Sequence, residues 1–314
     1  MALTQAQAQA QAQTGQTQPA IGYAFPSPAQ KIESNRLDVQ HRLLVLTAND
    51  QLHRAPLDPT SVRNALDIAT GTGIWATEFA REFPAANTVG FDITSHPQHS
   101  AADIPSNCTF EVADMRNDAT WSGEPDANAA WTMPKSVPYD YVHGRMLMAV
   151  VQDWPKLMAR CYEKMAPGAW IEFQDLNLPM STPDPECTAE SSPMFTWAML
   201  FHETFLKIGY DFGAAAQHAQ RLRDAGFVDV QEFDGKWTVA GPVPDSDRER
   251  QMHEMAVSVV IDGVAGFTRK AFKEVLGWTD EQVDEVVAAV QHESRNGKYR
   301  IIANFKYVFG RKPL

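Results

Sequence analysis

One stretch constrains this chain more than any other: Leu66 to Ala80, reading LDIATGTGIWATEFA. An apolar run (Ala65, Leu66, Ile68) carries Asp67 at its end and breaks into Thr70-Gly71-Thr72-Gly73. From Ile74 to Phe83 the spacing predicts a helix. A strand, a glycine turn and a helix start are how an α/β sheet brings backbone close to a nucleotide-like ligand. Gly71 and Gly73 remove side chains where a ligand must touch the chain, and both tolerate positive φ. The ligand class is narrowed by Asp67. A carboxylate just before the loop repels a pyrophosphate and suits a cation, and the third small residue of a dinucleotide fingerprint is met only loosely, by Ala76. A plain βα turn remains the structural alternative for this segment alone.

The strands that follow repeat the pattern of an acid or polar group at the tip. Thr88 to Ile93 reads as a second strand ending near Asp92, about 20 residues past the glycines, where a ribose-binding acid is expected. Cys108 to Val112 reads as a third strand, followed by Asp114, able to accept an adenine amino group, and Met115, able to cover the ring. A fourth strand, Tyr139 to His143, precedes a helix from Trp154 to Met165. A fifth, Ala169 to Phe173, follows Pro167-Gly168. Any one such group is an ordinary solvated strand terminus. The series in order reads as a site.

Composition sets outer limits. The chain has 314 residues, 44% hydrophobic and 21% charged, the balance of a globular protein. No apolar run approaches the roughly 20 residues of a membrane helix, and the polar N-terminus has no signal-type hydrophobic region. Cys108, Cys161 and Cys187 are widely spaced, which suits a reducing compartment and packing rather than metal ligation. A net charge of −12 without a basic run argues against a nucleic-acid groove.

Met1 to Ala20 is a Gln/Ala/Thr repeat that cannot bury enough surface to offset its ordering entropy, so a disordered tail is expected, with order beginning near Ile21. Ile32, Val39, Leu43 and Leu46 fall on one helical face and predict a helix from about Gln30 to Leu46. Residues 122–138 read as an insertion and 178–193 as a Pro/Ser/Thr loop. Met194 to Ile208 is helical in spacing and either closes over a substrate or simply packs. Further elements are a helix over 217–225, a strand over 227–233, helices over 248–261, 269–276 and 280–294, and a β-rich run over 301–309. Thr279 with Gln282 forms a capping-box pattern ahead of the last helix.

On these residues the chain resembles the seven-stranded, S-adenosylmethionine-dependent methyltransferases, and among them the fungal LaeA-type enzymes. The segments are Glu33 to Thr47 (R-L-x-x-Q-H), Leu66 to Pro84, Tyr139 to Leu147 (H-x-R-M-L), Asp153 to Asp175 (opening D-W-P), Leu222 to Val230 and Gly310 to Pro313. The resemblance implies an α/β, Rossmann-like three-layer sandwich. Its seven-stranded sheet is mostly parallel with an antiparallel last strand, and helices are added. The expected organisation is a tail over 1–20, a helical cap over 21–61 and a methyltransferase domain over 62–314, with insert helices near 179–210 and 246–296.

The cofactor implied is S-adenosyl-L-methionine, held by Asp67, Gly71, Gly73, Asp92, Asp114 and Met115, with Thr70 and Trp75 as wall residues and Ile93 beside the adenine. Departures are Ala69 where glycine is frequent, Pro-Gly-Ala before the fifth strand, and GKWTVAGPVPD after Asp234. An acceptor hydroxyl or ammonium must lose a proton, which invites a general base. His143 is the first candidate, with Arg145 as its orienting partner; alternatively His143 is structural and Arg145 pairs with an acid such as Asp175. Tyr23, Gln40, His41 and His202 are weaker substrate-side candidates. No metal, nucleic acid or membrane is expected. The implied activity is methyl transfer to an O or N atom of a small molecule, in the cytoplasm or the nucleus. Rivals are a LaeA-like regulator, a methyltransferase-fold cyclase or isomerase, and an NAD-dependent oxidoreductase, the last disfavoured by Asp67.

Overall fold

The computed structural model describes residues 31–94, 103–124, 126, 129–135 and 137–314. The tail over 1–20, Tyr23 and part of the insertion over 122–138 lie outside the described residues. The elements run α1 (Lys31–Thr47), β1 (Asn64–Ile68), α2 (Ile74–Glu82), β2 (Asn87–Asp92), β3 (Cys108–Val112), α3 (Asp118–Ser122), β4 (Tyr139–Arg145), α4 (Trp154–Lys164) and β5 (Met165–Leu176). They continue through α5 (Pro193–Leu206), α6 (His218–Asp224), β6 (Val228–Ala240), α7 (Asp247–Leu276), α8 (Asp280–Asn296) and β7 (Ile301–Arg311).

The strands form one seven-stranded sheet in the order β3-β2-β1-β4-β5-β7-β6. β1 to β5 pair in parallel, and β7 runs antiparallel to both β5 and β6. Because side chains alternate across a strand, Ala65 and Tyr141 enter one apolar cluster while Leu66, Ile68 and Val142 enter the other. Helices cover both faces, the three layers of a doubly wound sheet. Order reverses at β1/β4, and a ligand crevice is expected beyond the strand ends at that switch point.

Three expectations change. The helices expected over 248–261 and 269–276 are one helix, α7. Gly263 does not break it but admits α1, since a Cβ there would stand 2.5 Å from the Phe267 ring and 3.1 Å from Cδ of Arg36. The departing segment after Asp234 is not loop. It extends β6 to Ala240, with Trp237 and Val239 buried and Lys236 exposed in strand alternation. Finally, α1 buries only part of the face its apolar spacing predicts, Leu43 and Leu46, with Val39 half-buried. Ile32 is 73% exposed, whereas Glu33, Arg36, Gln40 and His41 are buried beside Leu43 and Leu44. The Thr279–Gln282 capping box forms as predicted.

Candidate active site

The strand tips and α1 enclose a cavity of about 240 Å³. Its floor is the loop after β1, which turns on three positive-φ residues, Ala69 (53°), Gly71 (60°) and Gly73 (79°). A Cβ at Gly73 would stand 2.7 Å from the Phe110 ring, so glycine is required there on two counts. Ala69 adopts the left-handed conformation despite its methyl group, which is why glycine is common at that position.

Asp92 joins two loops at the tip of β2. Its Oδ2 accepts the Gly71 N–H at 3.0 Å, and its Oδ1 accepts from Thr94 N–H and Oγ1, each at 3.2 Å. The carboxylate is thereby held against the glycine turn at the cavity wall. Asp114 lies further along and receives Nε (2.9 Å) and Nη2 (2.7 Å) of Arg116. Partial burial pushes its carboxyl up, but the Arg116 hydrogen bonds outweigh this and keep it below the ordinary carboxylate range. Thr70, Ile93 and Met115 complete this end.

Asp67, Gly73 and Trp75 support the site without lining the cavity. Asp67 is buried beneath the loop, accepting from Thr70 Oγ1 at 2.5 Å. In the parallel register Asp67 stands opposite His143, so both side chains share one face, and His143 Nδ1 lies 2.8 Å from Asp67 Oδ1. Trp75 stacks on the His143 ring at 3.7 Å, and its Nε1 donates to Leu52 O. His143 is 0% exposed and lines no part of the cavity. The general-base expectation for His143 therefore gives way to a supporting role: a buried ring that orients Asp67 cannot reach an acceptor. His202 likewise faces Asp211, at 3.1 Å, away from the cavity.

Arg145 does line the cavity, but its partner is not Asp175. Its Nη1 donates to His41 Nδ1 at 2.7 Å, and His41 Nε2 meets Glu78 Oε2 at 2.9 Å. A guanidinium can only donate, so Nδ1 is the acceptor and Nε2 carries the proton given to Glu78. Burial, then the Arg145 charge, depress the His41 pKa below 6.5, while the hydrogen bond from His41 lowers that of Glu78. Both ring nitrogens are occupied, so His41 holds α1 to Arg145 instead of acting as a free base. α1 is also tied to the loop by Thr72 Oγ1 donating to Asp38 Oδ1 at 2.9 Å.

The sign of the His41 effect follows. Below 6.5 the unfolded chain takes a proton that folded His41 resists. Stability contributed by the neutral ring therefore falls as pH drops from the ordinary histidine value toward the depressed folded one. Urea unfolding across this window should show a steeper loss of stability below neutrality in the wild type than in His41→Asn. Equal slopes would remove His41 as the titrating group.

Sequence patterns offered only the α5 part of the opposite wall and missed the rest. Trp197 and Phe201 of α5, Trp237 of β6, Phe267 of α7 and Phe305 of β7 form an apolar chamber, with the Trp237 and Phe305 rings 3.9 Å apart. The choice left open for the segment after residue 193 is resolved here. α5 is packed through Trp197 Nε1 to Thr268 Oγ1 (2.8 Å) and also forms cavity wall. Glu33 and Arg36 were missed as well. Among the described residues no His/Cys/Asp/Glu group could hold a metal ion, and no helix is long and apolar enough to cross a membrane.

A doubly wound sheet with acids at successive strand tips, facing one cavity beside a glycine turn, defines a Rossmann-like, S-adenosylmethionine-dependent methyltransferase. The chain belongs to the methyltransferase-domain family, whose profile matches residues 39–232. It is 32% identical to the methyltransferase pytC of Aspergillus terreus, over 92% of this chain and 84% of that one. To the secondary metabolism regulator laeA of Aspergillus fumigatus it is 27% identical, over 91% and 72%. A solved phosphoethanolamine N-methyltransferase 2 of Haemonchus contortus, in complex with S-adenosyl-L-methionine, is a distant likeness at 16% identity and TM-score 0.43. That alignment covers 93% of this chain and 55% of the other.

Proposed function

We propose that this protein methylates an O or N atom of a small molecule in fungal secondary metabolism. The observation that carries the reading is the two-ended cavity, with fixed carboxylates at the strand tips and an aromatic chamber opposite. When bound, S-adenosylmethionine would supply an electrophilic sulfonium methyl group, its carbon–sulfur pair returning to sulfur as the acceptor's lone pair forms the new bond and the acceptor's proton passes to water. Asp92 would accept hydrogen bonds from the ribose hydroxyls, and Asp114 with Met115 and Ile93 would hold the adenine. Arg145 lines the cavity with donors beyond the one given to His41, and would be available to the methionine carboxylate. Asp67 and the loop provide a negative field suited to a cation. With no free base at the wall among His41 and His143, the residues act chiefly by positioning, which can supply much of such a rate.

A small-molecule acceptor is supported by the apolar and aromatic lining of the chamber, which suits a compact apolar ligand. The name of pytC as a methyltransferase is consistent with this. The regulator name of laeA keeps a protein acceptor as the second reading. Three free, buried cysteines accord with a reducing compartment, which we take to be the cytoplasm, with the nucleus as the alternative. The deciding experiment is incubation with methyl-labelled S-adenosylmethionine and, separately, the organic extract and the protein fraction of source cells. Label should enter an extract component that gains the mass of one methyl group. Label confined to protein, or a product of unchanged mass, sinks the proposal.

A further inference from the structure

The buried face of α1 carries an arrangement that neither the fold nor the cofactor end explains. Glu33, Arg36 and Gln40 are 6%, 4% and 5% exposed, yet all three line the cavity. Arg36 Nε and Nη2 donate to Glu33 Oε2 (2.8 Å) and Oε1 (2.6 Å), and Nη1 donates to Gln40 Oε1 (3.1 Å). The Arg36 guanidinium also lies over the Phe267 ring of α7, 4.8 Å from its centroid. The spacing of three and four residues puts these groups in one row along the helix. A buried ion pair gives little net stability compared with apolar residues of similar size. Its presence in the wall of an otherwise aromatic chamber therefore calls for a ligand. The Gln40 side-chain carbonyl accepts from Arg36, so what this residue can add to the cavity wall is its amide donors.

We propose that Glu33, Arg36 and Gln40 form the acceptor-recognition strip of this site, and that the acceptor is an uncharged, largely apolar ring compound with a hydroxyl- or amide-type edge. This rests on the methyltransferase reading above and names its substrate class. The strip offers Glu33 lone pairs to a donor and the Gln40 amide to an acceptor, while its net charge is zero. A cationic or anionic acceptor would carry an unbalanced charge into an apolar chamber, which costs far more than burying a neutral polar edge that is hydrogen-bonded. Trp197, Trp237 and Phe305 line the chamber where the ring would pack.

The test uses three probes with one ring system: naphthol, naphthoate and naphthylmethylammonium. Each is titrated by calorimetry at neutral pH into the intact protein saturated with S-adenosylhomocysteine. Wild type should bind naphthol about tenfold more tightly than either charged probe. Glu33→Gln leaves Arg36 unbalanced and should shift relative affinity toward naphthoate by about tenfold. Arg36→Gln leaves Glu33 unbalanced and should shift it equally toward the ammonium. S-adenosylhomocysteine affinity should be unchanged in both variants, which also reports that each has folded; if one has not, the other still decides. Wild-type protein that fails to bind S-adenosylhomocysteine refutes the methyltransferase reading itself. Normal cofactor-product binding overturns the strip alone if no probe binds, if charged probes bind as well as naphthol, or if the variants leave the preference unmoved.

Discussion

Asp92→Ala is expected to weaken S-adenosylmethionine binding by roughly a hundredfold or more, the loss of two hydrogen bonds to a charged group at about 1.5–3 kcal/mol each. The carboxylate has two jobs in one place. It would receive the ribose hydroxyls, and it already fastens the Gly71 amide at 3.0 Å and the Thr94 amide and hydroxyl at 3.2 Å. Alanine frees the glycine turn and removes the ligand's acceptor together. Calorimetric titration of S-adenosylmethionine into the variant measures the effect, and Asp92→Asn separates its parts. Asparagine retains one acceptor oxygen and should restore the turn better than the binding. Affinity for the alanine variant within a few-fold of wild type would show that the ribose lies elsewhere.

Asp175→Ala should cost about 2–5 kcal/mol of unfolding free energy, because it leaves two buried groups, the Leu147 N–H and the His218 ring, without their hydrogen-bond partner at about 1–3 kcal/mol each. Asp175 and His218 are both 0% exposed. Oδ2 of Asp175 lies 3.2 Å from His218 Nε2, and Oδ1 accepts the Leu147 N–H at 2.6 Å. That amide follows Met146, which holds φ of 54°, and Arg145 precedes it at the end of β4. One carboxylate thus anchors the α6 histidine to the turn that delivers Arg145 to the cavity. The alanine variant should lose activity as well as stability, because the Arg145 turn relaxes. Urea unfolding beside steady-state rates at a permissive temperature tests both. A variant as stable as wild type would mean that the pair contributes no more than an apolar contact.

The strand-tip end of the cavity was legible because its signals are local. Strand tips fall where apolar runs stop, a glycine turn follows β1, and β2 and β3 repeat the strand-then-acid pattern, so Asp92, Asp114 and Met115 could be read one strand at a time. His143 shows the limit of such reading. Its place at a strand end was right, but whether its ring reached a ligand depended on pairing opposite Asp67 and stacking under Trp75. Both are contacts across separate elements. α1 was read in part for a related reason: its spacing found the buried Leu43 and Leu46 but not the polar row of Glu33, Arg36 and Gln40, which is buried because it lines a cavity. The two helices expected over 248–261 and 269–276 proved to be one for the same kind of reason: Gly263, between them, leaves room for the Phe267 ring and the Arg36 side chain.

From its own periodicities and glycine placement, the chain determined that it would build a doubly wound sheet and offer acids to a cationic, nucleoside-like ligand, since these depend on neighbours a few residues away. Tertiary structure alone decided which histidine meets the cavity, which arginine is left facing it, and that α5, β6, α7 and β7 close an aromatic chamber over the site. Those outcomes depend on register and on approach between segments far apart in the chain, where burial and partner, not residue type, set what a side chain can do.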